Sequence, residues 1–262
     1  MTETIDGYLD GKVNMKYSNI RDGFTGIEGI PVIIPTFNNP TYLKSMVDFL
    51  LSRDLKNIVV LDNNSTYPAM VEYLEELSKD IRVINQPDNY GPRQFWFDEV
   101  AFSELPEYFI VTDPDLSFKK ELPENFIDIL KEILDEHQVF KVGCALDLDV
   151  ENTLLDEPYV IVNNTVSIRH SEQSYYSPSI RIAHPTQEMY AAPIDTTFAL
   201  YKKSNKHFGF MSSIRVAGDF KVHHHGWDLN LPMPQEEYDY YKSHMADTFA
   251  STEVLKRDGR IW

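Results

Sequence analysis

The stretch that decides the fold is IPVIIPTFNNPTYLKSMVDFLLSRDLKNIVVLD, residues 30–62. Its opening run at 30–35 is rich in valine and isoleucine and bounded by prolines, which predicts a short buried strand. In the middle, leucine, methionine and valine recur at helical spacing, so we predict an amphipathic helix that begins at Pro40 or Thr41. The apolar run at 57–62 predicts a second buried strand. This stretch is therefore a β-α-β unit.

The same alternation of strand and helix continues to about residue 150. We predict helices at 69–80, 94–105 and 122–137 and strands at 81–86, 108–113 and 140–148. Buried strands that alternate with amphipathic helices indicate an α/β fold with a mostly parallel sheet covered on both faces. Beyond this part the periodicity weakens, although 196–203 has the pattern of a strand and 234–245 that of a helix. Without a repeat or a clear linker, we expect one domain over 1–262, with an irregular C-terminal half at about 151–262.

Composition and charge exclude several classes of function. The chain has 262 residues and a net charge of −17, from 41 acidic and 24 basic residues. Such a surface repels nucleic acid and anionic lipid, so neither is an expected partner. The single cysteine, Cys144, excludes an intrachain disulfide and is expected in the core. Neither a signal peptide nor an integral membrane segment is apparent, and we expect a cytoplasmic protein.

Polar loops follow the first four predicted strands. All are rich in Asp, Asn, Pro or Gly: PTFNN (35–39), DNNST (62–66), DNYGP (88–92) and DPDLS (113–117). Sheets of this class bind ligands beyond the carboxyl ends of their strands, where these loops would meet. Turn chemistry alone accounts for any one such loop, but the agreement of four predicts a ligand site at this edge.

The fourth loop carries two carboxylates in the segment VTDPDLSF, residues 111–118. On an extended strand Asp113 and Asp115 would point to opposite faces, but at a strand end, with Pro114 between them, both can reach one site. Mg²⁺ typically takes one or two carboxylates together with substrate phosphates. The pair therefore favours a site for a divalent metal and a diphosphate over an all-protein metal cage.

These motifs together resemble the nucleotide-sugar-binding half of GT-A glycosyltransferases, in particular family-2-like bacterial and viral enzymes. The resemblance covers about residues 30–150, in the same order and spacing. It implies a Rossmann-like GT-A fold whose second half binds the acceptor. It also implies metal-dependent transfer, with inversion expected, from a nucleotide-diphosphate sugar to a glycan or lipid-linked acceptor. Uridine is the expected base, and such an enzyme can meet a lipid-linked acceptor at a membrane surface.

The resemblance also implies roles for individual residues. Those of the first three loops would bind the nucleotide: Pro35, Thr36, Asn38, Asp62, Asn89, Gly91 and Arg93. Among them, Asp62 would hydrogen-bond the base and Arg93 would help to neutralise the diphosphate. Asp113 and Asp115 would be the metal-binding DxD pair, with Asp115 in direct contact and Asp113 contacting the ribose or a water.

A third metal ligand is predicted in VHHHGWD, residues 222–228. Neighbouring residues on a strand alternate faces, so at most two of the three histidines should share a site. The resemblance aligns His224 with the family's metal-binding histidine, although a polar strand without metal is an equal alternative. An imidazole ligand suits Mn²⁺ better than Mg²⁺, and the expected cofactor is one of these two ions.

The catalytic base is the least determined residue. An inverting enzyme needs a carboxylate to activate the acceptor hydroxyl. The family's Glu-Asp pair has no clear equivalent here, since the acidic segment at 236–241 comes too late in the chain. The candidates, in order of preference, are Asp195, Asp147 and Glu188, each of which could instead cap a turn.

Two other functions use the same features. A nucleotidyltransferase should carry a glycine-rich, basic phosphate loop after the first strand, and PTFNNP has neither glycine nor a basic residue. A catalytically inactive carbohydrate-binding protein on the same fold would tolerate loss of Asp115. Aromatic residues beyond about 170 suit an acceptor cleft or ordinary packing. The oligomeric state is left open.

Overall fold

The structure, a computed structural model, describes residues 24–244 except 94, 95, 97, 162, 163 and 230–232. Its thirteen strands are β1 (Val32–Thr36), β2 (Ile58–Asp62), β3 (Arg82–Asn85), β4 (Tyr108–Val111), β5 (Leu116–Phe118), β6 (Lys141–Cys144), β7 (Pro158–Ile161), β8 (Asn164–Ser167), β9 (Arg181–Ile182), β10 (Met189–Tyr190), β11 (Ala199–Lys202), β12 (Ser213–Val216) and β13 (Val222–His224). The α-helices are α1 (Pro40–Ser52), α2 (Pro68–Leu77), α3 (Glu99–Glu104), α4 (Phe126–Glu136), α5 (Ile168–Gln173) and α6 (Gln235–His244).

Nine strands form the central sheet, in the order β3-β2-β1-β4-β11-β6-β12-β10-β9. The first four are parallel, as is the pair β6 and β12. This arrangement confirms the predicted α/β class with a mostly parallel sheet. Strand β11 runs antiparallel between β4 and β6. Its first residue, Ala199, therefore pairs with Val111, the last residue of β4, which brings the chain just before β11 to the ligand edge of the sheet.

The core lies on both faces of this sheet. Val32 and Ile34 of β1 pack in one apolar cluster with Leu50 of α1, while Ile33 packs in a second cluster with Phe102 of α3. Alternate residues of a strand point to opposite faces, so a strand buried on both sides must be apolar throughout. This requirement explains the unbroken apolar runs in the sequence.

Most predicted boundaries differ from the observed ones by a few residues, and two of these differences have a clear local cause. The strand predicted at 140–148 ends at Cys144, because Leu146 leaves the sheet to form a bridge with Val222. The helix predicted at 94–105 falls partly on 94, 95 and 97, which lie outside the described residues; its later part is α3, Glu99–Glu104, where Asp98 caps the helix by accepting the Val100 and Ala101 N–H groups.

Several expectations concern the chain as a whole. Cys144 is buried, as predicted. No helix among the described residues is both long and apolar enough to cross a membrane. The expectation about a signal peptide falls within 1–23, outside the described residues, and the single domain over 1–262 stays a prediction.

Candidate metal and nucleotide site

Asp113, Asp115 and His224 come together beyond the end of β4. Each offers a ligand atom within 4.8 Å of the others, and Asp115 Oδ2 lies 3.6 Å from His224 Nδ1. The short strand β5 causes this meeting, because it pairs antiparallel with β13 and sets His224 opposite Leu116. The structure thus brings together the three residues predicted as metal ligands, although they come from two distant parts of the chain.

The three residues fit a divalent cation. His224 Nδ1 is buried and has no hydrogen-bond partner within the described ranges, and its ring stacks on Trp227 with centroids 4.6 Å apart. A Cβ at Gly226 would lie 2.6 Å from Asp115 Oδ2 and 3.1 Å from His224 Nδ1, so the absence of a side chain there leaves room beside the ligand atoms. Two carboxylates with one imidazole suit Mn²⁺ better than Mg²⁺.

Repulsion between carboxylates makes this group costly when no cation is bound. Burial raises the pKa of Asp113, and the nearby Asp115 carboxylate raises it further. The nearby His224 ring and a 2.9 Å hydrogen bond from Thr196 Oγ1 lower the pKa of Asp113, but they do not offset the increase caused by burial and Asp115. A divalent cation would remove this penalty by favouring the charged form of both carboxylates.

The Asp113→Asn variant should therefore be more stable than the wild type when both are metal-free. The folded-state pKa of Asp113 lies above its ordinary value of 3.8, so the folded protein holds the proton more tightly than the unfolded chain. The free energy of unfolding of the wild type should decrease as pH rises from the ordinary pKa of Asp113 through the raised one. The variant has no proton to lose at this position, so its free energy of unfolding should not show this decrease. Melting temperatures from about pH 4 to about pH 8, with and without Mn²⁺, test this expectation. A variant that is less stable throughout, with a normal Mn²⁺ response, would contradict it.

The Gly226→Ala variant should bind Mn²⁺ poorly. The added Cβ would overlap Asp115 Oδ2 at 2.6 Å, and the carboxylate must rotate away to relieve the contact. We expect a loss of about 10- to 100-fold in Mn²⁺ affinity by calorimetry, the range found for changes next to metal ligands. The melting temperature of the metal-free variant controls for misfolding. Unchanged Mn²⁺ affinity in a folded variant would show that the cation does not occupy this space.

The loops after β1 and β2 hold unmatched polar atoms. Asp62 pairs in register with Thr36, and its Oδ2 accepts the Ser65 N–H at 3.0 Å while its buried Oδ1 has no partner. Burial raises the pKa of Asp62. Asn38, at a left-handed φ of 53°, accepts the Tyr67 N–H at 2.9 Å with its Oδ1, and its buried Nδ2 has no partner. Among the described residues, this edge of the sheet therefore offers one free buried donor, Asn38 Nδ2, and two free buried acceptors, Asp62 Oδ1 and Asn63 Oδ1.

The remaining predicted nucleotide residues lie in β1 and in the loop after β3. Pro35 is buried in β1 opposite Leu61. In the loop after β3, Asn89 Oδ1 accepts the Gly91 N–H at 3.0 Å, and Gly91 adopts a φ of 76° that favours glycine. This turn leads to Arg93, whose side chain contacts Asp195, a residue far away in the sequence.

Arg93 binds the carboxylate of Asp195 with two hydrogen bonds. Its Nε lies 2.6 Å from Asp195 Oδ1, and its Nη2 donates to Oδ2. Lys141 stabilises the same segment. It is fully buried, and its Nζ donates to the Asp195 backbone oxygen at 2.9 Å. The next residue, Thr196, contacts Asp113, so Asp195 lies one residue from a contact with the metal-ligand group.

The two other base candidates have different surroundings. Asp147 forms ion pairs with Lys119 at 3.2 Å and Lys221 at 3.9 Å. Partial burial acts to raise the pKa of Asp147, but the Asp149 N–H and the two lysines outweigh it and lower the pKa, which weakens Asp147 as a base. Glu188 accepts a hydrogen bond from the Tyr190 hydroxyl. None of the three is tested as a base by these contacts.

Helix α6 contributes residues that sequence reasoning missed. Its Glu237 is 2% exposed and accepts the Thr41 N–H at 3.1 Å and the Thr41 hydroxyl at 2.6 Å, at the start of α1. Burial raises the pKa of Tyr241, and Asp115 and Asp113 raise it further, which puts this phenol close to the DxD pair. The segment 236–241 comes late in the chain yet folds back onto the site. Its acidic and aromatic composition was the only signal in the sequence.

Comparison with known proteins gives one family match. Residues 32–153 match the family model described as Glycosyl transferase family 2. This span contains β1 to β6 and both DxD aspartates. The match confirms the resemblance expected from the sequence and the expected class of enzyme. No curated protein matches the chain significantly.

Similar solved structures include three transferases. S. aureus TarS is 15% identical, with 87% of this chain and 69% of that chain covered and a TM-score of 0.44. GalNAc-T7, solved with UDP, GalNAc and Mn²⁺, is 11% identical, with 89% and 55% covered and a TM-score of 0.48. Glucosyl-3-phosphoglycerate synthase from Mycobacterium tuberculosis is 12% identical, with 74% and 63% covered and a TM-score of 0.40. The chain thus spans little more than half of GalNAc-T7, and no donor or acceptor follows from these similarities.

Proposed function

We propose that this chain, a glycosyltransferase with a family 2 domain at residues 32–153, uses a divalent metal to transfer a sugar from a uridine-diphosphate sugar to a glycan or lipid-linked acceptor. The observation that carries the proposal is the meeting of Asp113, Asp115 and His224 beside the nucleotide-side loops. A divalent cation held there would stabilise the charge that develops on the leaving diphosphate.

The free polar atoms at the nucleotide edge support uridine as the base. Asp62 Oδ1 is a buried acceptor and Asn38 Nδ2 is a buried donor, and neither has a partner in the part of the chain that the structure describes. Uracil presents an N3–H donor next to a carbonyl acceptor, which would satisfy both atoms. Cytosine presents an unprotonated N3 at that position, which would face the Asp62 carboxylate without a proton between them. Because unmatched buried polar groups are costly, this arrangement favours uracil over cytosine.

The pairing of Arg93 with Asp195 supports a role for both in the reaction. With no donor bound, the guanidinium holds the Asp195 carboxylate through two hydrogen bonds. A diphosphate would compete for Arg93 and leave Asp195 free to accept a proton. In the step we propose, the acceptor oxygen bonds to the sugar anomeric carbon and its proton passes to Asp195. The bond from that carbon to the diphosphate oxygen breaks, and the stereochemistry inverts.

Aromatic side chains of the second half support a sugar acceptor. Tyr176 and Tyr190 pack edge to face with centroids 5.3 Å apart, and the Arg215 guanidinium lies 4.4 Å from the Tyr175 ring. Tyr175 and Tyr176 are only partly buried. Partly exposed aromatic rings offer an apolar surface with a polar edge, which suits the face of a sugar ring.

A thermal-shift panel tests the proposed donor. The full chain is melted with UDP, CDP, GDP and ADP, each with and without Mn²⁺. A ligand that binds the native state raises the melting temperature, with a stabilisation of about 2.7 kcal/mol at a hundredfold excess over Kd. We expect UDP with Mn²⁺ to give the largest shift and UDP alone to give little. No shift with any diphosphate would contradict the proposal and favour a binding-only protein.

A further inference from the structure

The three consecutive histidines face two different sites. His224 faces the DxD pair, whereas His223 and His225 turn away and meet Asp228. His223 Nε2 lies 2.7 Å from Asp228 Oδ1, and His225 Nδ1 lies 2.8 Å from Asp228 Oδ2. We call His223, His225 and Asp228 the second triad. Its ligand atoms all lie within 4.8 Å of one another.

Backbone hydrogen bonds hold the second triad in place. His223 lies in β13 and pairs with Ser117 of β5. The His225 backbone N–H donates to the Asp115 backbone oxygen at 2.8 Å, and the Asp228 backbone N–H donates to the His225 backbone oxygen at 2.9 Å. A 3₁₀ turn from His225 to Trp227 brings Asp228 back beneath His225. Ligands positioned by main-chain contacts lose little freedom when they bind a metal.

The surroundings of the second triad also suit a bound cation. The side chains of its members are only 16 to 26% exposed, so they are shielded but still reachable from solvent. Tyr42 stacks on the His225 ring with centroids 5.9 Å apart. The Tyr42 hydroxyl is buried and has no hydrogen-bond partner among the described residues.

We propose that the second triad binds Zn²⁺. Two imidazoles and one carboxylate, with a fourth position left for water, form a common zinc ligand set. The first site, Asp113, Asp115 and His224, instead offers two carboxylates and one imidazole. Tetrahedral ligands at about 2.0–2.1 Å from zinc lie about 3.3 Å apart. The two imidazole nitrogens lie 2.7 Å from Oδ1 and 2.8 Å from Oδ2 of Asp228, so a tetrahedral set that uses one of these oxygens needs a rotation of the carboxylate together with a small opening of these contacts.

A zinc ion in the second triad would stabilise the positions of the residues of the first site, because the segment from His224 to Asp228 joins the two sites. The turn that it would brace contains Gly226, next to Asp115 Oδ2, and follows directly on His224. The two sites are therefore distinct in their ligands but joined by one short segment. Zinc in the second triad should make the geometry of the Mn²⁺ ligands more rigid without contacting the donor.

Counting zinc on the metal-free full chain tests the proposal. Zinc is added in excess, unbound ion is removed by dialysis against a weak chelator, and bound zinc is measured by atomic spectrometry. Zinc also suits Asp113, Asp115 and His224, so we expect two ions per wild-type chain. We expect one ion in Asp115→Ala, one in Asp228→Asn, and none in the double variant. His170→Ala, which removes an exposed histidine elsewhere, is the matched control and should keep two.

Co²⁺ absorption gives a second readout. In Asp115→Ala, Co²⁺ should show the intense visible bands of four-coordinate cobalt, because only the second triad remains to bind it. His225→Ala should also bind one zinc ion, and it replaces Asp228→Asn if that variant does not fold. Two outcomes would overturn the proposal: the wild type binds one zinc ion and Asp115→Ala binds none, or folded Asp228→Asn binds two. Asp228 would then serve only as a hydrogen-bond acceptor for two imidazoles. Because no nucleotide is present, the count does not depend on the proposed transferase reaction.

Discussion

Asp115→Ala should abolish Mn²⁺-dependent binding of UDP while leaving the fold intact. Asp115 lies 3.6 Å from His224 Nδ1 and within ligand distance of Asp113, so its removal takes a charged ligand from the proposed Mn²⁺ site. A metal that bridges protein and diphosphate contributes several kcal/mol, and we expect the affinity for UDP in Mn²⁺ to fall by at least about 100-fold. Calorimetric titration of UDP with Mn²⁺ present measures this loss directly.

A matched variant separates this effect from a general loss of charge. Asp80→Ala removes an exposed carboxylate after α2 and should bind UDP as the wild type does. Removal of Asp115 also relieves the repulsion that raises the pKa of Asp113, so the metal-free variant should melt no lower than the wild type. If Asp115→Ala binds UDP and Mn²⁺ normally, the metal role proposed for this residue is wrong.

Asp195→Asn should strongly reduce turnover, while UDP and Mn²⁺ should bind at least as tightly as to the wild type, because a neutral amide competes less well with the diphosphate for Arg93. The amide keeps the shape of the carboxylate and can still accept one hydrogen bond from Arg93, but it cannot take the acceptor proton. Loss of a general base typically costs about 10²- to 10⁴-fold, and we expect kcat to fall within that range. Calorimetry with UDP and Mn²⁺ provides the binding half of the test.

Parallel variants identify the base if Asp195 is not it. Asp219→Asn changes an exposed aspartate and controls for the substitution itself. Full turnover in Asp195→Asn together with a large loss in Asp147→Asn would transfer the role to Asp147, despite the two lysines that lower its pKa. A similar loss in Glu188→Gln would instead indicate the carboxylate bonded to the Tyr190 hydroxyl.

The position of the paired carboxylates at the end of β4 was predictable because its signal is local. The apolar run of β4 ends directly before Asp113, and its place in an alternating series identifies the edge at which the loop emerges. Parallel strands in such a series share that edge, so Asp62 and Asp113 had to lie on the same side of the sheet. No information about distant contacts was needed for either inference.

The remainder of the candidate site depends on contacts that local patterns do not encode. Asp195 reaches Arg93 across 102 positions of the chain, and Glu237 reaches Thr41 across 196. The sequence predicts a strand near 196–203, but it does not reveal that this strand inserts antiparallel between β4 and β6. That direction alone puts Asp195 at the ligand edge.

The sequence by itself determined the β-α-β series, the covered sheet and the position of the paired carboxylates, because each follows from the periodicity of neighbouring residues. Only the tertiary structure decided which histidine meets the carboxylates, since the register of β13 against β5 sets His224 beside Asp115 and turns His223 and His225 towards Asp228. A shift of that register by one residue would exchange the two faces. Pairing between distant strands sets this register, and no local pattern specifies it.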